Sequence, residues 1–241
     1  MDEAVSLSRN QRPLYLQIKN ILKDRILHGV YPMGTNIPSE PQLETEFDVS
    51  KITVRNAIKE LVQEGYLEKG SGKGTTVIRN TSASKLSKWK RFTEVLVEKG
   101  HRIHKQLLLA EVVVNESGSQ PYELFGERCY RIERLYYLND VPYIHYTNYL
   151  TMRTTDIQRS DLNAQSLYDL LEEQDITLEK VRDEFTVAPA PAHVEQKLQV
   201  SEGTPLLLRL RYAYDEKGEL IEYSRGYYHT HMQNYVVNYD V

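Results

Sequence analysis

Residues 39–77 read SEPQLETEFDVSKITVRNAIKELVQEGYLEKGSGKGTTV: two short helices joined by a tight turn, then a glycine-rich hairpin. Ser39 and Gln42 stand in an S-x-x-Q capping box, in which each side chain satisfies a backbone N–H orphaned at the helix start. Phe47-Asp48-Val49 supplies the turn, and Ser50 is placed to cap the next helix. At about 100° per residue, that helix turns Val54, Ala57, Ile58, Leu61 and Val62 to one side and Ile52, Thr53, Arg55, Asn56 and Lys59 to the other. One face packs and the other offers hydrogen-bond donors and cations. A merely solvated outer face would give the same pattern, so the segment after the helix decides. Gly65 suits the left-handed residue that ends it, Tyr66-Leu67-Glu68 reads as a strand, and Thr75-Thr76-Val77-Ile78 as its return. Between the strands, Gly70, Gly72 and Gly74 let the backbone approach a phosphate or groove wall, and Lys69 and Lys73 add attraction to a polyanion.

Upstream, Pro13 to His28 forms a first helix, since proline suits a first turn, Leu14, Ile18, Ile21, Leu22 and Ile26 keep helical spacing, and Gly29 ends it. This helix is expected to brace the pair, completing the outline of a winged helix-turn-helix. The formal net charge is -4, from 30 Lys and Arg against 34 Asp and Glu, so any nucleic-acid affinity must come from a local cluster of cations.

The run PLYLQIKNILKDRILHGVYPMGTNIPSE, followed by VSKITVRNAIKELVQEGYLEKGSGKGTTV, resembles the DNA-binding domain of GntR-family transcriptional regulators over about residues 11–78, through the strings P-S-E, S-x-x-T-V-R and G-x-G-T. The resemblance makes Arg55 the base or phosphate contact of the recognition helix and Thr53 a residue that helps position it. It puts Lys51 where the family often has arginine, and Gly74 in a wing that enters the minor groove. Ser39, Asn56, Lys59, Lys69, Gly72 and Lys73 complete the expected contact set on double-stranded operator DNA. Pro41 stands where the family frequently has an arginine, and Thr76 where it has an aromatic residue, which implies altered site preference or weaker binding.

Residues 79–91, RNTSASKLSKWKR, carry five cations and no acid and read as a linker, a solvated hinge in preference to a phosphate contact. Phe92 to Lys99 has helical spacing, closed by Gly100. The pattern then turns to period two, in Val112-Val113-Val114, Cys129 to Leu138 and Val141 to Leu150, with Asn139-Asp140 as a hairpin turn. A second hairpin runs from Leu206 to Tyr214, turns at Asp215-Glu216-Lys217-Gly218 and returns from Glu219 to Tyr228. The two hairpins share order and tyrosine placement, which suggests a pseudo-duplicated sheet. Between them lie two short helices and a strand: Ser166 caps Leu167 to Gln174, Leu178 to Ala188 alternates, and Pro191 opens a helix through Leu198.

This half resembles the UTRA ligand-binding domain of the HutC subfamily, whose fold is related to chorismate lyase, in its order of elements and in strings such as NDVP, QSLYDLL and SEGTPLLLR. The implied fold class is α/β of the α+β kind: a winged helix-turn-helix domain (1–78), a linker (79–91) and a UTRA domain with a mainly antiparallel sheet (92–241). The resemblance places an anion on Arg134, Ser166 and Tyr168; a helix start and a guanidinium both suit that task, although plain capping explains Ser166 equally well. Tyr136 replaces a second phosphate-holding arginine and Tyr146 a sugar-binding glutamate, which argues against a standard amino-sugar phosphate. Glu222, Arg225 and Tyr228 are expected as further polar lining.

The single cysteine, Cys129, permits no intrachain disulfide or thiolate metal cluster. His145, His229 and His231 lack metal-like spacing with carboxylates and read as strand or loop residues. The start, MDEAVSLSRNQRPLY, is not a signal peptide, and no run reaches membrane-spanning length, so a cytoplasmic protein with no membrane partner is expected. The reading that emerges is a homodimeric regulator without cofactor, a repressor released from a palindromic operator by a small anionic metabolite such as a sugar phosphate or an organic acid. The alternative is a small-molecule enzyme using the lyase-like domain, against which no triad, carboxylate pair or metal motif can be picked out.

Overall fold

A computed structural model describes Leu7 and residues 13–70, 72, 74–81, 92–154, 157, 159–164 and 166–236. The described residues fall into two compact units, one running up to Ile103 and taking in Ala164 and Ser166, the other made of His104–Asn163 and Leu167–Val236.

In the first unit, α1 (Leu14–Leu27) buries Ile18, Ile21, Leu22 and Ile26 against α3 (Lys51–Gln63), which turns in Val54, Ala57, Ile58 and Leu61, while α2 (Glu40–Phe47) adds Leu43 and Phe47. Val62, grouped with the packed face by its helical angle, is 36% exposed, because it lies at the edge of that face. Ile18, Leu22, Ile26, Leu43, Val54 and Leu61 are fully shielded, and each contributes roughly 1.5–3 kcal/mol. Packing on that scale outweighs any single cap, so the core fixes how α3 presents its outer face.

The capping box at α2 is built, with the Gln42 side-chain oxygen accepting from Ser39 N–H and Ser39 Oγ, each at 2.8 Å. Asp48 takes the left-handed conformation that turns the chain between α2 and α3. Ser50 occupies the N-cap of α3, but its hydroxyl bonds the Thr53 hydroxyl at 2.8 Å rather than a backbone N–H, a correction to simple capping. Strands β1 (Leu67–Gly70) and β2 (Gly74–Val77) form the hairpin, and Thr76 Oγ1 donates to Asn36 Oδ1 at 2.8 Å, tying the wing to the segment before α2. Gly74 has φ +91°, and a Cβ there would lie 2.8 Å from Asn36 Nδ2, so conformation and space both require glycine. Helix α4 (Phe92–Glu98) buries Val95, Leu96 and Val97, and beyond it Ile103 N–H donates to the His28 carbonyl at the end of α1 at 3.0 Å. The expected linker falls largely on residues 82–91, outside the described residues.

The second unit is a six-stranded sheet in the order β3-β4-β5-β8-β7-β6, from β3 (Ile103–Val114), β4 (Arg128–Leu138), β5 (Val141–Leu150), β6 (Leu178–Pro189), β7 (Pro205–Asp215) and β8 (Leu220–Tyr228). The hairpins β4-β5 and β7-β8 meet at a central antiparallel β5-β8 pair, so the sheet repeats its three-strand half as expected. Asn139 and Asp140 both have positive φ, as a two-residue hairpin turn needs. The side chain of Asp215 accepts from Lys217 N–H, Glu219 N–H and Arg153, fixing the other turn.

Helix α5 (Gln120–Phe125), capped by Ser119, joins β3 to β4. Between the hairpins are α6 (Arg159–Ala164), α7 (Leu167–Glu172) and α8 (Ala192–Leu198). Among the described residues that is one α-helix more than the two expected, because RSDLNA offers a single large apolar side chain, Leu162, and so no repeat to read, whereas α7 spaces Leu167, Leu170 and Leu171 along one face. Val194 and Leu198 of α8 pack on Leu135, Leu206, Leu208 and Tyr227, covering one face of the sheet.

Candidate nucleic-acid interface and effector site

On α3, Lys51, Arg55, Asn56 and Lys59 are exposed and Thr53 is half-buried. Arg55 is held: its Nε donates to Glu40 Oε2 at 2.8 Å, while Lys69 Nζ of the wing donates to Glu40 Oε1 at 2.9 Å. One carboxylate thus joins the helix to the hairpin. With Nε engaged, both terminal nitrogens of Arg55 stay available for a bidentate contact. The hydrogen bond from Lys69, and then that from Arg55, holds the Glu40 carboxyl below the ordinary carboxylate range. Gly72 lies exposed at the hairpin tip with φ +73°, and Ser39 is bound up in its capping box. Lys73 lies outside the described residues.

Opposed residues on neighbouring strands share a sheet face, so the register sorts the effector candidates. Arg134 opposes Tyr146, Tyr146 opposes Gly226, and Gly226 opposes Arg209, giving one row across four strands. Adjacent rows on the same face hold Tyr136 and Tyr228, then Asn148, Ser224, Arg211 and Asp183, then Glu222. Tyr136 packs edge-on against Tyr146, with ring centroids 5.4 Å apart. Tyr146 and Tyr228 lie over Gly226, where a Cβ would come within 2.6 Å of the Tyr146 ring, and their hydroxyls are hydrogen-bonded to each other. The Glu222 carboxylate, 1% exposed, accepts from Asn148 Nδ2 at 2.6 Å and from the Tyr168 hydroxyl of α7 at 2.7 Å. Burial pushes the Tyr146 phenol up to about 12, so it stays a neutral donor at physiological pH.

Arg134 is 4% exposed, and its Nε and Nη2 have no hydrogen-bond partner among the described residues. A buried guanidinium with empty donors is costly unless an anion completes it. Ser166 is half-buried immediately before α7.

Arg225 needs correction. It sits an odd number of residues from both Glu222 and Tyr228, and alternation along β8 therefore turns it to the opposite face. There it donates to the Tyr227 hydroxyl at 2.6 Å and lines an open cavity of about 340 Å³ with Arg131, Tyr149 and Tyr223. Sequence reading also missed Arg209 and Arg211. Their alternation with Leu208 and Leu210 was the available signal, since it puts both arginines on one face.

Residues 14–77 match the family of bacterial regulatory proteins, gntR family, and residues 98–233, more than half of the chain, match the UTRA domain. The chain is a gntR-family regulator with a UTRA domain. This regulator is 25% identical over 222 residues to the mannosyl-D-glycerate transport/metabolism system repressor MngR of Escherichia coli (strain K12), covering 91% of this chain and 92% of that one. It is also 25% identical over 221 residues to the HTH-type transcriptional repressor NagR of Bacillus subtilis (strain 168), covering 90% of each chain. Its fold is that of PhnF from Mycobacterium smegmatis, with a TM-score of 0.51 at 23% identity over 87% of this chain and 93% of that one. Membership decides against the lyase-like alternative, because the matched family and relatives are regulators of transcription. No group of metal-ligating side chains occurs among the described residues, and no helix there is long and apolar enough to cross a membrane.

Proposed function

We propose that this regulator is a cytoplasmic homodimeric repressor of a metabolic operon, which releases a palindromic operator when a small anionic effector binds its UTRA domain. In this reading Arg55 reads a base edge from α3, backed by Thr53, Lys51, Asn56 and Lys59, and the wing residues Lys69, Gly72, Lys73 and Gly74 follow the adjacent groove. Ile52, 63% exposed on the same outer face, suits a thymine methyl. The names of MngR and NagR as repressors support repression. Dimerisation follows from weak single contacts: two half-sites on one two-fold protein multiply affinities that one copy could not supply.

One observation carries the effector half: the buried guanidinium of Arg134 keeps two donors empty on the face that also presents Tyr136, Tyr146, Tyr228, Glu222 and Tyr168. An anion completes Arg134, and the surrounding hydroxyls and carboxylate select the remainder of the molecule. Binding there alters the UTRA domain, and through residues 79–91 the spacing of the two recognition helices. Selection of duplexes from a random pool, followed by anisotropy titration, tests the reading. The expected result is a palindromic consensus bound in a salt-sensitive manner; a pool that stays random after repeated rounds would sink the proposal.

A further inference from the structure

The effector face contains a second guanidinium whose charge the first does not explain. Arg209 is 7% exposed, donates to the Tyr146 hydroxyl at 2.6 Å and to the Tyr235 hydroxyl at 3.2 Å, and leaves its buried Nε without a partner among the described residues. It lies over the rings of Tyr146 and Tyr228, 5.3 Å and 5.6 Å from their centroids. Neutral phenols and ring faces lower the cost of burying it, but no carboxylate accepts from it among the described residues. Its neighbour Arg211 differs, because Asp183 accepts from it at 2.7 Å and 2.6 Å. Glu222 is likewise engaged, by Asn148 and Tyr168. Of the charges described on this face, Arg211 donates to Asp183, which also feels the charge of Arg209, Glu222 is held by neutral donors, and neither Arg134 nor Arg209 donates to a carboxylate among the described residues.

The two guanidiniums that donate to no carboxylate are separate. Their Cα atoms are three strand spacings apart, about 14 Å across the row, with Tyr146 and Gly226 between. The Tyr146 ring lies over Gly226 and its hydroxyl accepts from Arg209. The rings already hold Arg209 in their midst, so this cage is not open to a cationic ligand.

We propose that the effector carries two acidic groups at opposite ends, the first received by Arg134 and the second by Arg209. The chemical class is an extended molecule with an acid at each end, a sugar acid phosphate or a long dicarboxylate, whose middle lies along the Tyr136, Tyr146 and Tyr228 hydroxyls. The inference rests on the effector reading above and makes it narrower.

Sorbitol 6-phosphate and 6-phosphogluconate share a phosphate on an open six-carbon chain and differ by a terminal carboxylate in place of a hydroxymethyl group; hexanoate against adipate and heptanoate against pimelate make the same comparison without phosphate. Calorimetry on the full chain should show the two-acid member of a pair binding on the order of tenfold to a hundredfold tighter than its one-acid partner. Arg209→Gln should close that gap and leave the one-acid ligand unchanged, Arg209→Lys should restore part of it, and Arg134→Gln should weaken both members. Retained operator binding shows that each variant is folded. Equal affinity within the pairs, or a gap that survives Arg209→Gln, overturns the two-acid inference and leaves Arg134 as an anion site. Silence from every anion, in protein that still binds its operator, overturns the effector reading itself and this inference with it.

Discussion

Replacing Glu40 by glutamine should lower the selectivity of DNA binding, weakening the operator complex while raising affinity for duplexes without the operator sequence. Glu40 is 18% exposed and accepts from Arg55 and Lys69, which are 52% and 54% exposed. Glutamine keeps the length of the side chain and one acceptor oxygen but loses the charge. Exposed ion pairs contribute about 0.2–1 kcal/mol each, so folding should weaken by no more than about 1–2 kcal/mol. The effect on DNA is larger. A released Arg55 regains rotamers that it must lose again at the base edge, at roughly 0.5–1.5 kcal/mol per side chain. Counted twice in the proposed dimer, this is about 1–3 kcal/mol, roughly fivefold to a hundredfold in operator affinity. Against it, each protomer loses one negative charge facing the phosphates, which helps every duplex equally. Anisotropy titrations of a selected operator and a scrambled duplex, at two salt concentrations, separate the effects. The ratio of the two affinities should fall by roughly fivefold to a hundredfold while scrambled binding tightens. An unchanged ratio, or equal weakening on both duplexes, would refute the idea that Glu40 positions Arg55.

Other outcomes rest on the same geometry. Arg55→Ala should cost about 1–3 kcal/mol per half-site at the operator and leave effector binding unaltered; equal operator affinity by anisotropy would remove Arg55 from the interface. His145 is 0% exposed, and burial lowers its pKa from 6.5 to about 4. Because the folded value is depressed, its contribution is complete above about pH 6.5 and declines toward pH 4, on the order of 3 kcal/mol across that window. Denaturant midpoints at pH 7 and pH 4.5 should differ by less in His145→Gln than in the wild type, and an identical pH dependence would assign the loss elsewhere. Gly226→Ala brings a Cβ within 2.6 Å of Tyr146 Cε1 and 3.0 Å of Tyr228 Cε2, so the rings must lift from the sheet. The overpacking should cost about 1–3 kcal/mol and change the near-UV circular dichroism, and an unaltered spectrum would contradict the ring placement.

The first unit was legible because its signals are local. Ser39 to Gln42 is a three-residue interaction, Gly65 and Gly74 announce positive φ, and the burial of Val54, Ala57, Ile58 and Leu61 follows helical spacing. Glu40 was not legible as a positioning group, since its partners lie 15 and 29 residues away and meet it only after the core orients α3 and the hairpin. The duplication of the sheet was suggested by the tyrosines the two hairpins share, but their central pairing and the face occupied by each side chain depend on register. Arg225 was misplaced for that reason, and parity along β8 with Glu222 as reference would have corrected it. Asp183 could not be foreseen, because its pairing with Arg211 follows from the β6-β7 register.

The central claim is that an anion arriving at Arg134 releases the operator. Its most direct test is the operator complex of the wild type and of Arg134→Ala, titrated with sugar phosphates and dicarboxylates and followed by anisotropy. The account predicts that at least one of these anions dissociates the wild-type complex, while the variant binds the operator with unchanged affinity and does not release it. Release of both proteins at the same ligand concentration would contradict it.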